Sequence, residues 1–132
     1  MRHAVLIVLG LVIGIIGTAM AMDALNRGPH LSKSVMQMMD YHLDGLQATM
    51  QANRCAVSDT LPHLQALRSL ANDIEPVFAP TLSDPRFRQH AGELRARLDA
   101  LLATPPADCP AVDAAMSRIG GACKACHQDF RN

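Results

Sequence analysis

The chain opens with one continuous apolar stretch, and after it apolar and polar residues alternate with a regular period. Every residue of the stretch AVLIVLGLVIGIIGTAMA, residues 4–21, is apolar or small. From about residue 30 onward, apolar residues recur every three or four positions, which places them on one face of an amphipathic helix. This pattern predicts four amphipathic helices, near 31–53, near 59–78, from Pro85 through Leu101, and from the segment CPAVD to Phe130.

Each predicted helix carries its apolar residues as a single stripe, and together the stripes predict the core of the domain. In chain order they are Val35, Met39, Leu43, Leu46 and Met50; Leu61, Leu64, Leu67, Ala71, Ile74 and Phe78; Phe87, Ala91, Leu94, Leu98 and Leu101; and Val112, Met116, Ile119, Cys123, Cys126 and Phe130. The short connections RCAVS, APTLS and TPPADC favour antiparallel neighbours. Aromatic residues make up only 3% of the chain and Trp is absent, which also favours helix over sheet. The sequence therefore predicts an all-α fold, an antiparallel up-down-up-down four-helix bundle.

Two of the predicted helix starts carry capping residues. Ser58 and Asp59 are candidate caps of the second helix, with Pro62 in its first turn. Asp84 is the candidate cap of the third helix, where Pro85 suits the first helical position. These signals predict where both helices begin.

The N-terminal apolar stretch is typical of a targeting segment. It follows Arg2 and His3 and ends in the A-x-A pattern of residues 19–21, after which a signal peptidase could cut. A stretch of this length is also long enough to remain as a membrane anchor. We interpret residues 1–21 as a signal peptide, with an uncleaved anchor helix as the alternative, and residues 22–132 as the exported domain. The domain is then expected in the bacterial periplasm, in contact with a membrane only if the N-terminal helix is retained.

The last predicted helix ends in the pentapeptide CKACH, which contains Cys123, Cys126 and His127. In c-type haem attachment, two thiols with this spacing form thioether bonds to the haem, and the adjacent histidine becomes an axial ligand of the iron. A redox dithiol is the first alternative, but such pairs usually lie at the start of a helix, where the helix dipole lowers the thiol pKa. This pair lies near the end of a helix, so haem attachment is the favoured interpretation.

A zinc site is the second alternative, and it would need two more ligands with suitable spacing. The histidines His30, His42, His63 and His90 make no second ligand pair in the sequence, and we expect them to be solvated on charged helix faces. A non-haem helical protein that uses the two thiols for thiol or metal chemistry remains an alternative.

The topology brings further residues to the pentapeptide. Because the last helix ends where the first begins, the motif is expected at the same end of the bundle as Met36. The connection between the second and third helices, which includes Phe78, Leu82 and Phe87, folds over that end too. These residues predict an apolar pocket with a candidate ligand on each side.

The two remaining cysteines lie at the opposite end of the predicted bundle. Cys55 is in the connection between the first and second helices, and Cys109 is in that between the third and fourth. An oxidising compartment permits a disulfide between them. We expect a Cys55–Cys109 disulfide, with two free buried thiols as the alternative.

The ending CKACHQDFR, preceded by GGA and placed at the end of a four-helix chain, resembles the class II cytochromes c, the cytochrome c-prime superfamily. The resemblance implies one covalently bound haem c on Cys123 and Cys126, with His127 as the proximal iron ligand. Phe130 and Arg131 match the aromatic residue and arginine that follow the motif in this family. The resemblance therefore makes Arg131 a candidate contact at the haem edge.

The same resemblance places Met36 on the open side of the iron. Members with a coordinating methionine there are six-coordinate electron carriers, and the sulfur ligand raises the reduction potential. Other members leave the sixth position empty behind an apolar side chain and bind nitric oxide or carbon monoxide. We expect coordination by Met36 and core packing by Met38 and Met39. The family commonly has an arginine four residues earlier, where this chain has Ser32, and Lys33 is the candidate substitute as a propionate partner.

These features predict a periplasmic cytochrome that transfers electrons to and from redox partner proteins. The alternative is a five-coordinate cytochrome c-prime with a diatomic gas ligand, to which Arg131 would then be a neighbour. The family also suggests a homodimer. Twelve basic and twelve acidic residues give a formal net charge of zero with no basic cluster, so nucleic acid is not expected as a partner. No general base or activated nucleophile accompanies the motif, so we expect no enzyme activity.

Overall fold

The structure is a computed structural model that describes residues 2–26, 29–78, 81 and 83–130. In this part of the chain there are five helices and no strand. They are α1 (Arg2–Asn26), α2 (Pro29–Gln51), α3 (Val57–Val77), α4 (Pro85–Ala103) and α5 (Cys109–Phe130). The predicted all-α fold, with an apolar helix ahead of four amphipathic ones, is confirmed. The chain divides into two compact units, Met1–His30 and Leu31–Asn132, which are described separately.

The first unit consists mainly of α1. The side chains described along α1, such as Ile7 and Met20, are exposed. The segment Leu6–Asp23 is long and apolar enough to cross a membrane, by length and composition. Such a helix is consistent with a signal or an anchor.

The second unit contains the bundle, and polar contacts between helices define its antiparallel pairs. Arg95 on α4 donates to Glu75 on α3 at 2.9 Å. Arg68, further toward the N-terminus of α3, pairs with Asp99, further toward the C-terminus of α4. Residue numbers that rise on one helix while they fall on the other indicate antiparallel packing. In the same way, α4 and α5 are joined by contacts between residues 90 and 129 and between residues 97 and 118.

The core is formed by the predicted apolar stripes. Every predicted residue of the α4 stripe is buried, and Leu67, Leu98 and Ile119 are fully shielded from solvent. Met39 is buried as expected, but the prediction that Met38 packs in the core is wrong, because Met38 is 46% exposed. Met38 lies one residue before the stripe of α2, and a step of one residue turns a side chain by about 100° around a helix.

The start of α4 follows the capping signal in the sequence, and the start of α3 does not. The Asp84 side chain accepts a hydrogen bond from the Arg86 backbone N–H at 2.9 Å, so the predicted cap of α4 is confirmed. The prediction for α3 is wrong, because this helix begins at Val57, after Ala56. The Ala56 carbonyl already accepts hydrogen bonds from the backbone N–H groups of the residues three and four positions later, so the helix begins two residues ahead of the predicted start. Pro62 consequently lies in the second turn of α3.

A disulfide fixes the end of the bundle that is remote from the pentapeptide. Cys55 and Cys109 are bonded, with their Cα atoms 5.0 Å apart, which confirms the predicted pairing. Just before Cys55, the chain leaves α2 through Asn53, whose φ of 53° is left-handed. The backbone hydrogen bonds from Asn53 to Met50 and from Arg54 to Thr49 form a Schellman motif. Since α5 has 22 residues and is about 33 Å long, its first residue lies far from the motif near its last turn.

Candidate haem site

A cavity of about 540 Å³ lies among the helices of the bundle. Its volume is within the range of about 300–1,000 Å³ that small-molecule and cofactor sites occupy. Side chains of all four bundle helices line it, and most of them are apolar. They include Met36, Met39 and Leu43 of α2, Ile74 of α3 with Phe78 directly after this helix, Phe87, Ala91 and Leu94 of α4, and Ala122, Cys123, Cys126, His127 and Phe130 of α5.

The pentapeptide presents all three of its candidate functional residues to this cavity. Cys123 and Cys126 are three residues apart on α5, so they lie on one face of the helix, and His127 lies next to them on the same side. All three are partly buried, and the two cysteines form no disulfide. The cavity therefore brings together the residues that the sequence predicted as haem anchors.

The electrostatics of the two thiols oppose a redox function. Burial raises the pKa of Cys123 above that of an ordinary thiol. Burial also raises the pKa of Cys126, and the neighbouring charges of Cys123 and Asp129 add to this effect. Reactive dithiols need the opposite shift, because the thiolate is the attacking species. These thiols are therefore poor candidates for disulfide exchange.

A zinc site with these thiols lacks a ligand set in the described part of the chain. Within residues 2–26, 29–78, 81 and 83–130, no group of three or more His, Cys, Asp or Glu side chains converges on one point. A structural zinc ion is usually bound by four such ligands.

The α2 side of the cavity contributes Met36, which is half-buried and packs against the core. Ser32 and Lys33, one turn earlier on α2, line the same cavity. Two other residues of the predicted site, Leu82 and Arg131, lie outside the described residues. The predicted juxtaposition of Met36 with the pentapeptide is thus present.

An aromatic cluster closes the part of the cavity next to the end of α5. The ring of Phe87 packs edge-on against Phe130, with centroids 5.3 Å apart, and Phe78 lies 5.8 Å from Phe87. The Arg86 guanidinium lies over the Phe130 ring, 5.6 Å from its centroid, in a cation–π contact. These contacts join the last turn of α5 to the start of α4, and they hold the pentapeptide against the cavity.

His90 also lines this cavity, so the prediction that it is solvated is wrong. Its Nε2 donates to the Asp129 carboxylate at 3.0 Å, and its side chain is only 17% exposed. Its Nδ1 is buried without a partner among the described residues. The signal that could have revealed it is its position between Phe87 and Leu94, three and four residues from two core positions.

The donor set fits a covalently bound haem. Two thiols one helical turn apart, an imidazole beside them and a thioether on another helix all face one largely apolar cavity. Thiols suit thioether attachment, while imidazole and thioether are the usual axial ligands of cytochrome iron. The apolar lining suits a large planar ring that must be shielded from water.

A helical bundle that carries C-x-x-C-H beside an apolar cavity defines a class of protein, the bundle-type c cytochromes. A family model described as Cytochrome C' matches residues 30–131 of the chain. The chain belongs to this family, and it carries covalently bound haem c.

One curated relative is consistent with this assignment. Cytochrome c-556 of Agrobacterium tumefaciens (strain II Chrys) is 47% identical to the chain over 45 residues, which are 34% of this chain. The match spans only 37% of the length of that relative. No solved structure matches the chain.

Proposed function

We propose that the protein is an exported electron carrier in which Cys123 and Cys126 hold the haem by thioether bonds and His127 is the proximal iron ligand. The observation that carries the proposal is that the two cysteines and the histidine of the pentapeptide line the same apolar cavity. When bound, the haem supplies a one-electron redox couple. The chain itself supplies the anchors, the axial imidazole and the exclusion of water.

The second part of the proposal is that Met36 is the sixth ligand. Its thioether lies on the α2 side of the cavity that contains His127 on α5. A methionine opposite a histidine raises the reduction potential, because sulfur donates weakly to ferric iron. Buried apolar neighbours such as Met39 act in the same direction, since they disfavour the extra positive charge of the oxidised state.

The gas-binding alternative rests on the same residue. Around Met36 the α2 lining includes the apolar side chains of Met39 and Leu43, so Met36 can also be one more apolar neighbour of an open iron face. In that case the reduced protein should bind carbon monoxide readily. The two functions therefore differ in whether the sulfur of Met36 binds the iron.

Substitution of Met36 by Leu decides between them. The change nearly conserves volume but removes the sulfur. With methionine ligation, the oxidised wild-type protein is low-spin with a weak sulfur-to-iron charge-transfer band in the far red, and Met36→Leu loses both features. Met39→Leu is the matched control, because it removes a neighbouring cavity sulfur, and it should retain the band. A high-spin wild-type spectrum that Met36→Leu leaves unchanged would contradict ligation and favour gas binding.

We also propose that the bundle functions in the periplasm, where it meets its redox partner proteins. Support comes from α1, whose length and composition suit a signal or an anchor. N-terminal sequencing of the protein recovered from cells tests this proposal. A mature start near residue 22 is the expected result, whereas recovery of the full chain from the cytosol would contradict export.

A further inference from the structure

Two histidines outside the haem cavity face each other across the contact between α2 and α3. The Nδ1 atoms of His42 and His63 are 3.2 Å apart, and both side chains are half-buried. Neither residue lines the haem cavity. We expected both histidines to be solvated, and this prediction is wrong, because the packing of α3 on α2 joins residues that are 21 positions apart and half-buries both.

The packing of both rings holds the pair in place. Gly45, one turn after His42 on α2, leaves the space that the His63 ring fills, since a Cβ atom at this position would lie 2.6 Å from Nδ1 of His63. The Tyr41 ring packs edge-on against His42, with centroids 5.2 Å apart. A side chain at position 45 would therefore displace the His63 ring, and the two imidazoles meet where the glycine leaves room for that ring.

The separation of the two nitrogens suits a shared metal ion. Two imidazole nitrogens bound to one tetrahedral zinc at about 2.0–2.1 Å lie about 3.4 Å from each other. The observed 3.2 Å is close to this value. A cation can thus replace the hydrogen bond between the rings with little movement, provided that each ring carries its proton on Nε2.

The protonation state favours a ligand function as well. Burial, followed by the charge of His42, lowers the pKa of His63 below that of an ordinary histidine. A neutral imidazole is the form that binds metals. No third His, Cys, Asp or Glu among the described residues joins the pair, so water would occupy the other coordination positions.

We propose that His42 and His63 form a two-imidazole binding site for a borderline divalent transition-metal cation of the Zn²⁺, Ni²⁺ or Cu²⁺ type. This site is separate from the haem site and does not depend on the proposed function. Imidazole suits these cations, whereas Mg²⁺ and Ca²⁺ prefer oxygen ligands.

Zinc titration of the haem-loaded protein without an affinity tag tests the proposal. Zn²⁺ is the probe because it has no redox chemistry and leaves the oxidation state of the haem iron unchanged. Calorimetry at neutral pH should show one saturable site per chain. His42→Gln and His63→Gln should each weaken binding at least about tenfold, since loss of even an outer hydrogen-bond partner of a metal ligand costs about 10–100-fold.

Glycine variants test the geometry without removal of a histidine. Gly45→Ala should displace the His63 ring and therefore weaken zinc binding at least about tenfold. Mg²⁺, a control cation that prefers oxygen ligands, should bind to none of the proteins. Gly120→Ala is the matched control, because a Cβ atom there meets nothing within 4 Å, and it should bind zinc like the wild type.

The result that overturns the proposal is equally specific. It is wrong if the wild type shows no saturable zinc site, or if His42→Gln binds zinc as tightly as the wild type. Circular dichroism shows whether each variant is folded. If His63→Gln does not fold, the zinc affinity of His42→Gln, at the half-buried position 42, is compared with that of the wild type instead.

Discussion

Removal of the disulfide tests how the end of the bundle remote from the haem is stabilised. The double substitution Cys55→Ala and Cys109→Ala opens a covalent loop whose ends are 54 residues apart in the sequence. On the chain-entropy relation, closure of a loop of this length restricts the unfolded chain by about 4 kcal/mol at 25 °C. Folded domains are typically stable by only about 5–15 kcal/mol, so the loss is a large part of the total.

Guanidinium unfolding, followed by far-ultraviolet circular dichroism on the haem-loaded protein, measures this loss. The double variant should unfold at a lower midpoint, with a free energy of unfolding about 4 kcal/mol smaller. Cys55→Ala alone breaks the same bond, so the double variant should be hardly less stable than the single one. A loss below about 1 kcal/mol would show that the cross-link does not restrict the unfolded chain as the chain-entropy relation requires.

Three further predictions concern the core, a helix cap and the free thiols. Leu98→Ala should reduce the free energy of unfolding by about 2–5 kcal/mol, because Leu98 is fully buried. Leu102→Ala should reduce it by less, because Leu102 is only half-buried. Equal losses of stability in denaturant titrations would contradict this packing. Asp108 accepts a hydrogen bond from a backbone N–H in the first turn of α5 at 2.8 Å, so Asp108→Ala should cost about 1 kcal/mol, and Asp108→Asn, which keeps an acceptor, should cost less. In haem-free protein, Cys123 and Cys126 should react with iodoacetamide more slowly than free cysteine does at pH 7.5, because their pKa values are raised. Their alkylation should accelerate as the pH rises. Alkylation faster than that of free cysteine would indicate activated thiols.

The parts of the fold that local sequence determines were predictable. The stripe of α4 follows directly from the helical period, and the cap at Asp84 is a local feature of three residues. In α5, Val112 and Ile119 are buried as predicted, but the predicted stripe missed the buried Ala115 and Ala122. The disulfide was predictable from topology, because short connections between antiparallel helices place Cys55 and Cys109 at one end. The haem motif could be recognised because its chemistry requires a fixed spacing.

The side-chain pairs between helices were not predictable in the same way. His42 with His63, and His90 with Asp129, join residues 21 and 39 positions apart. Such contacts depend on the rotation and axial position of each helix against its neighbour, and the apolar period of a single helix does not define these to within one residue. The start of α3 was missed for a related reason, since hydrogen bonds to the Ala56 carbonyl extend the helix beyond its apparent caps.

The central claim is that the pentapeptide of α5 holds the haem covalently, and peptide mass spectrometry after extraction with acidified acetone tests it most directly. The haem should remain on the protein after extraction, and the proteolytic peptide with Cys123 and Cys126 should carry the added mass of haem. The same peptide from a Cys123→Ser, Cys126→Ser variant should carry none, while the Cys55–Cys109 disulfide remains intact in both proteins. Haem that extracts freely from the wild type and leaves two alkylatable thiols in this peptide would show that the pentapeptide does not hold the haem covalently.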